Sequence, residues 1–393
     1  MKSKKRIVCF LNGVTLNNGK PSISGGDVRA LKILQELVKR KIQVTIFSST
    51  PGVELIKNFQ EKNWEVIDIQ TQEKGDILSR INRVWRSYVA VDKWIKDKKT
   101  SLGLISYSSC EHVYDVLPAW YLKWKKNIPW VALIHWVPDS PWINNRGNTP
   151  FLYNLIFYIQ NWFSHVLIKA KANKYLAVSD ITWQKLKNIG FNPQKLEVVF
   201  CGVDLDKIQA VKTGGTKKYD GVFLKRLNPG KGSYDLVSIW QKVVKKFAKA
   251  KLLVIGDGPK DVVEKIKQQI TDFGLSKNII LHGPEYDFER KFKLVKQSKV
   301  FVLPTYEENW AIVIGEALAA GLPVVCYDLP EIKPIWRDAV RWVEKGNTHA
   351  MAKKIIDFLD KKEKATKKLP MVVKKYSWKK VAEREFSLMN ECW

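Results

Sequence analysis

Short apolar runs separated by longer segments of helical periodicity recur twice along the 393 residues, and this alternation limits the fold more than any other feature. The runs "RIVCFL", "QVTIFSS", "LGLISYS", "WVALIH" and "KYLAVS" each have the length of one buried strand, while "GGDVRALKILQELVKR" has the spacing of a helix. Strand, crossover helix, strand is the winding of a parallel sheet. The pattern lapses at 202–218, "GVDLDKIQAVKTGGTKK", which places the domain junction there. A second series starts at "DGVFLK" and runs through "SYDLVSIWQKVVKKF", "AKLLVIGDG", a helix from Val262 to Phe273, "NIILHG", "KVFVLP", a helix from Ile312 to Ala320 and "PVVCY". One core rarely serves a chain this long. The expectation is an α/β protein with two Rossmann-like doubly wound domains, 1–205 and 206–375, followed by an amphipathic helix within 376–393.

Lys and Arg number 67 against 39 Asp and Glu, and the net charge of +28 predicts attraction to a polyanion. Nucleic acid, an anionic membrane and a phosphorylated substrate all meet that description, and a solvated lysine-rich surface is the plain alternative. The one dense block is "KKEKATKK" at 361–368. Cys9, Cys110, Cys201, Cys326 and Cys392 lie far apart, with no C-x-x-C pair and no neighbouring histidine read at ligand spacing, which argues against a disulfide framework or a zinc site. The apolar stretch after the basic Met1–Arg6, "IVCFL", is too short for a secretory signal, so a cytoplasmic protein is expected.

Tryptophan stands out, at 16 residues, several beside cations. Arg83, Arg86, Lys93, Lys96, Lys123, Lys125 and Lys126 mingle with Trp85, Trp94, Trp120 and Trp124, a mixture suited to anionic headgroups and the interfacial layer. The segment 151–170, "FLYNLIFYIQNWFSHVLIKA", is apolar, but Asn154, Gln160, Asn161, Ser164 and His165 interrupt it and argue against a membrane span. It reads either as a buried helix of the N-terminal domain or as a helix dipping into a bilayer surface.

The most informative stretch is "PTYEENWAIVIGEALAAGLPVV", from Pro304 to Val325. It ends a strand, turns through acidic and aromatic residues and enters a helix, whose first amides suit phosphate. Glu308 and Glu316 place acceptors at two depths, as a sugar nucleotide with hydroxyls at both ends requires. Upstream, "FLKRLNPGKGSYDL" (223–236) carries Arg226 and Lys231 beside Gly232, loop cations that taken alone would be read as solvated. "SGGDVRALKIL" has Gly25 and Gly26 before a helix, and His135 ends the strand "WVALIH", where open parallel sheets place ligand-contacting side chains.

With this glutamate pair, followed by Glu316-Ala317 and Gly321-Leu322-Pro323-Val324, the sequence resembles retaining glycosyltransferase family 4, whose members have the GT-B fold of two domains facing a cleft. The resemblance implies that Glu308 accepts hydrogen bonds from the donor sugar, that Glu316 holds the nucleotide ribose and that Arg226 and Lys231 clamp the diphosphate. Asn309-Trp310-Ala311 replace the family's usual Gly-Phe-Gly in the turn that packs on the hexose, just before Ile312. Gly256, in "GDGP", would lie near the base, and Gly25 and Gly26 on the diphosphate or acceptor side. His135, preferred to His112, would orient the donor near the reacting carbon in a front-face displacement. Asp204 and Asp206 mimic a metal-binding D-x-D but match the family's Gly-Val-Asp segment, so neither a metal nor another cofactor is expected. The C-terminal helix would cross back to the N-terminal domain.

The implied activity is transfer of a hexose from a nucleoside-diphosphate sugar, with retained configuration, to a hydroxyl of a glycan or lipid-linked acceptor, at most peripheral to the inner face of the plasma membrane. The rivals are a non-catalytic polyanion- or membrane-binding protein on the same fold and a GT-B sugar phosphorylase or epimerase.

Overall fold

The computed structural model describes residues 5–17, 20–22, 24–71, 77–97, 103–142, 151–362 and 369–393, so most of the lysine block at 361–368 lies outside the described residues. The chain divides into two compact units, Met1–Gly202 with Trp378–Trp393, and Val203–Ser377.

The first unit contains β1 (Arg6–Leu11), the hairpin β2 (Thr15–Asn17) and β3 (Lys20–Ser22), α1 (Gly25–Val38), β4 (Gln43–Ser48), α2 (Thr50–Lys57) and β5 (Trp64–Asp68). It continues with α3 (Ile77–Asp97), β6 (Leu104–Ser108), α4 (Val113–Lys126), β7 (Trp130–Ile134), α5 (Phe151–Lys171), β8 (Lys174–Ala177), α6 (Asp180–Asn188) and β9 (Leu196–Val198). Seven strands form one parallel sheet in the order β5-β4-β1-β6-β7-β8-β9. The central strands β6 and β7 are buried throughout, as expected of apolar strands covered by helices on both faces.

The second unit contains α7 (Leu205–Ala210), β10 (Tyr219–Leu224), α8 (Ser233–Lys246), β11 (Leu252–Ile255), α9 (Lys260–Asp272), β12 (Ile279–Gly283), α10 (Phe288–Lys296), β13 (Ser298–Leu303), α11 (Ile312–Ala319) and β14 (Val324–Tyr327). After them come α12 (Lys333–Trp336), β15 (Val340–Val343), α13 (Thr348–Leu359) and α14 (Leu369–Val373). Its six-stranded parallel sheet has the order β12-β11-β10-β13-β14-β15. Both sheets reverse direction beside their first long strand, between β1 and β6 and between β10 and β13, and ligands of open α/β sheets bind at such switch points.

The final helix, α15 (Trp378–Asn390), belongs to the first unit, where it packs on α1. Its anchor is an ion pair: Arg29 Nη2 of α1 lies 2.6 Å from Glu385 Oε2, with both side chains fully buried. The hydroxyl of Tyr107 donates to the other Glu385 oxygen at 2.7 Å, and Arg29 Nε donates to the Phe200 carbonyl at 3.3 Å.

Helices α3, α4 and α5 cover one face of the first sheet, with α4 in contact with the other two. Here α5 reverses the usual polarity of a surface helix. Asn161, Ser164 and His165 are buried, whereas Leu152, Ile159, Trp162 and Phe163 are exposed. Leu78, Ile81, Trp85 and Val89 of α3 are exposed as well. The segment 151–170 is thus a helix of the N-terminal unit with its apolar face outward, and no helix among the described residues is long and apolar enough to cross a membrane. Two residues expected on this basic, aromatic surface are in the core instead. Arg83 is 2% exposed and donates to the Asn12 carbonyl at 2.7 Å, and Trp94, 8% exposed, packs edge-on against Phe47.

Candidate active site

In the second unit the loops after β10, β11 and β13 pack on one another with no room for side chains at two glycines. Gly232 has φ +69°, and a Cβ there would fall 1.7 Å from the Pro304 carbonyl oxygen. Gly256 has φ +151°, and its Cβ would fall 1.9 Å from the Lys225 carbonyl oxygen. Glycine alone permits both the conformation and the approach. The turn after β10 is closed by Asn228, whose side chain accepts from the Lys231 amide at 2.9 Å, and is tied to the turn after β13 by the Tyr306 amide donating to the Gly230 carbonyl at 2.9 Å. Tyr306 and Tyr327 both donate to Asp235 of α8 at 2.7 Å, fixing the same turn from its other side.

This framework presents Glu308 to two lysines. Lys225 Nζ lies 2.5 Å and Lys231 Nζ 3.3 Å from Glu308 Oε1, and the carboxylate side chain is 7% exposed. Lys231 also donates to the Glu307 carbonyl at 2.6 Å. Burial pushes the Glu308 carboxyl up, but Lys225 and then Lys231 outweigh it, so Glu308 lies below the usual carboxylate value and is ionised at neutral pH. Lys225, which was not singled out in the sequence, makes the shorter contact. Its signal was position, immediately beyond the end of β10 and beside Arg226. The side chain of Arg226 is exposed.

Glu316 lies one turn into α11, where Lys291 of α10 reaches to 3.7 Å from its Oε1. Asn309 is half-buried. Trp310, expected in the turn on the hexose, buries its indole instead: it is 2% exposed and packs edge-on against Trp336 and Tyr376, with ring centroids at 4.8 and 5.2 Å. Its carbonyl accepts from Trp336 Nε1 at 3.0 Å. Ala311 takes φ +56°, ψ +65°, a left-handed conformation that L-residues adopt at a cost, immediately before Ile312 opens α11.

In the first unit, His135 follows β7. Its amide donates to Glu111 Oε2 at 2.9 Å, and its ring Nε2 lies 3.1 Å from the Ser109 carbonyl oxygen. That contact selects the Nε2–H tautomer and leaves the Nδ1 lone pair as an acceptor. Burial holds the His135 imidazole below its ordinary value against the pull of Glu111. Gly26 faces this ring, and a Cβ there would lie 3.2 Å from Nε2.

Two expectations are corrected here. Gly25 and Gly26 are the first residues of α1 rather than a turn before it, and the helix start is not open: Ser24 Oγ accepts from the Asp27 amide, and Asp27 Oδ2 accepts from the Ser24 amide. This capping box sets a carboxylate where an anion would otherwise bind. Cys110, Glu111 and His112 do stand at ligand spacing, with one possible ligand atom from each within 4.8 Å of the others, although Glu111 is engaged with the His135 amide. Asp204 and Asp206 begin α7, Asp204 at the cap and Asp206 in the first turn.

Comparison with known proteins agrees with this architecture. The family "Glycosyltransferase Family 4" matches residues 23–207, and "Glycosyl transferases group 1" matches residues 205–375. An uncharacterized glycosyltransferase of Methanocaldococcus jannaschii is 27% identical over 209 residues, covering 50% of this chain and 48% of that protein. A phosphatidyl-myo-inositol mannosyltransferase of Mycobacterium leprae is 28% identical over 221 residues, covering 53% and 56%. The alignments thus span about half the length of these curated relatives. The crystal structure of Anabaena HepE in complex with UDP and glucose has the same fold, with a TM-score of 0.75, 14% identity, and coverage of 98% of this chain and 100% of that one. The two family matches run together from residue 23 to residue 375, and the chain belongs to glycosyltransferase family 4.

Proposed function

We propose that this chain is a retaining glycosyltransferase that moves a hexose from a nucleoside-diphosphate sugar to a hydroxyl of a glycan or lipid-linked acceptor without a metal ion. The observation that carries this reading is the buried, ionised Glu308 held by Lys225 and Lys231 at the switch point of the second sheet. An ionised carboxylate accepts hydrogen bonds from sugar hydroxyls, and lysines beside it offer charge to a departing diphosphate. Arg226, on the same loop, adds a third cation for the phosphates. His135 supplies a neutral acceptor at Nδ1 to orient a hydroxyl, and Glu316 receives the ribose.

The outward apolar stripes of α3 and α5 favour work at the cytoplasmic face of an anionic membrane. α5 contains no acidic residue and ends in Lys169 and Lys171, so headgroup attraction and interfacial insertion act on one surface.

The test is a screen of nucleoside-diphosphate sugars for slow hydrolysis in the absence of acceptor, with anomeric configuration read by NMR. One donor should be hydrolysed in excess EDTA, with the sugar released as the retained anomer. Inverted product, loss of activity to EDTA with rescue by manganese, or binding of polyanions with no hydrolysis would each refute the corresponding part. An epimerase or phosphorylase would be exposed by its product.

A further inference from the structure

Beside β10 an ammonium with donors to spare stands against a carboxylate with an acceptor to spare. Both lysines of the candidate site converge on one oxygen of Glu308: Lys225 Nζ lies 2.5 Å and Lys231 Nζ 3.3 Å from Oε1, and Thr305 Oγ1 lies 3.2 Å from the same atom. Oε2 accepts from none of the described residues, yet it is not sealed from solvent, and the side chain keeps 7% of its surface.

The two lysines differ in what they have left. A lysine ammonium carries three N–H donors. Lys231 Nζ is ringed by three protein oxygens, the Glu307 carbonyl at 2.6 Å, Glu308 Oε1 at 3.3 Å and Glu307 Oε1 at 3.8 Å. Lys225 Nζ meets Glu308 Oε1 alone among the described residues. Its side chain is 17% exposed, just beyond the end of β10 and so at the switch point of the sheet, where ligands of open α/β folds bind. Burial holds Lys225 below the ordinary lysine value against the pull of Glu308, so one carboxylate does not offset the cost of burying its charge. A further oxygen at Nζ would.

The pair thus offers a donor and an acceptor side by side. A phosphate oxygen only accepts, and at contact it would face the charge of Glu308. A hydroxyl both accepts and donates. We propose that Lys225 is a specificity-determining residue, its ammonium donating to the oxygen of one hydroxyl of the donor hexose while the same hydroxyl donates to Glu308 Oε2. This inference rests on the donor reading above and gives Lys225 a contact with the sugar where that reading gives it charge alone.

UDP-glucose, UDP-galactose and GDP-mannose are titrated calorimetrically into the full-length protein, and the one bound most tightly is compared with its monodeoxy and deoxyfluoro forms and with its free nucleoside diphosphate. One monodeoxy form should bind about tenfold or more weakly than the parent, because it leaves the ammonium and the carboxylate unmatched. The fluorine of the matching deoxyfluoro form accepts but cannot donate, so that form should lie between the two. In Lys225→Met the deoxy and deoxyfluoro forms should bind alike and the deoxy loss should shrink to about threefold or less, while affinity for the free nucleoside diphosphate falls less than affinity for the parent. Lys225→Gln keeps a neutral donor and should lie between the wild type and Lys225→Met, which covers the case in which methionine unsettles the loop. A deoxy loss unaltered in both variants would refute this inference and leave the donor reading standing, and so would equal losses for the parent and the free nucleoside diphosphate. If the wild type binds none of the three, or binds every monodeoxy form as it binds the parent, the donor reading falls and the role of Lys225 with it.

Discussion

Removing Glu385 should unseat the final helix, and the structure sets the size of the effect. Glu385 and Arg29 are fully buried and 2.6 Å apart, so Glu385→Ala leaves a guanidinium in the core facing the neutral Phe200 carbonyl, Tyr107 hydroxyl and Cys201 thiol. Burial works against the charge on Arg29 and the Glu385 carboxylate outweighs it; a guanidinium does not deprotonate in a protein, so the charge stays when its partner is gone. Breaking such a pair from one side costs about 3–5 kcal/mol, against a net stability of about 5–15 kcal/mol for a domain. With a urea dependence of about 2–3 kcal/mol per molar, the midpoint of the first unit should fall by about 1–2 M. Replacing both partners by apolar residues, Arg29→Met with Glu385→Leu, should recover most of that loss, because the double variant buries no unpaired charge. The assay is urea unfolding followed by circular dichroism, with hydrogen exchange of α15 to locate the change. A double variant as unstable as Glu385→Ala, or a single variant that loses less than about 0.5 kcal/mol, the usual size of a neutral surface change, would refute the reasoning.

Three further outcomes are expected. Because Glu308 lies below its ordinary value of 4.5, its stabilisation is complete above that pH and is lost as pH falls through the depressed value. The melting-temperature gap between the protein and Glu308→Gln should therefore be widest near neutrality and shrink in acid, and a gap independent of pH would contradict it. At Ala311, whose φ is +56°, Ala311→Val should lower stability by about 1–2 kcal/mol while Ala311→Gly is tolerated, as thermal unfolding would show. Gly26→Ala, with its Cβ 3.2 Å from His135 Nε2, should shift the His135 ring resonances and reduce turnover more than stability, whereas unchanged resonances would remove Gly26 from the site.

The central strands could be read from sequence because strands buried on both faces are written as unbroken apolar runs, as "WVALIH" and "KVFVLP" are. The edges could not: β5, "WEVID", has solvent on one side and mixes charges into the strand, and β2 and β3 are only three residues each. Glu308, Glu316 and Lys231 were singled out because motif and strand-end position coincide there. Lys225 escaped because, in so lysine-rich a chain, its position just beyond β10 does not stand out until its partner is known. Arg83 and Trp94 were placed on the surface by composition, since a helix of 21 residues with cations on several faces does not declare which cation turns inward. The packing of Trp310 was hidden for a related reason, as its neighbours Trp336 and Tyr376 are distant in sequence and meet it only in the folded unit.

The pairing of Arg29 with Glu385 also imposes an order on biosynthesis. The two residues are 356 positions apart, and the whole second unit is translated between them. At about 5–20 residues per second, α1 leaves the ribosome about 20–70 s before the helix that neutralises Arg29. For that interval the nascent first unit carries an unmatched buried-site cation and an uncovered flank of α1, while the second unit, contiguous from Val203 to Ser377, is made in one stretch. The second unit therefore needs nothing made after Ser377, whereas the first waits for α15, and chaperone occupancy of α1 would be greatest in that wait.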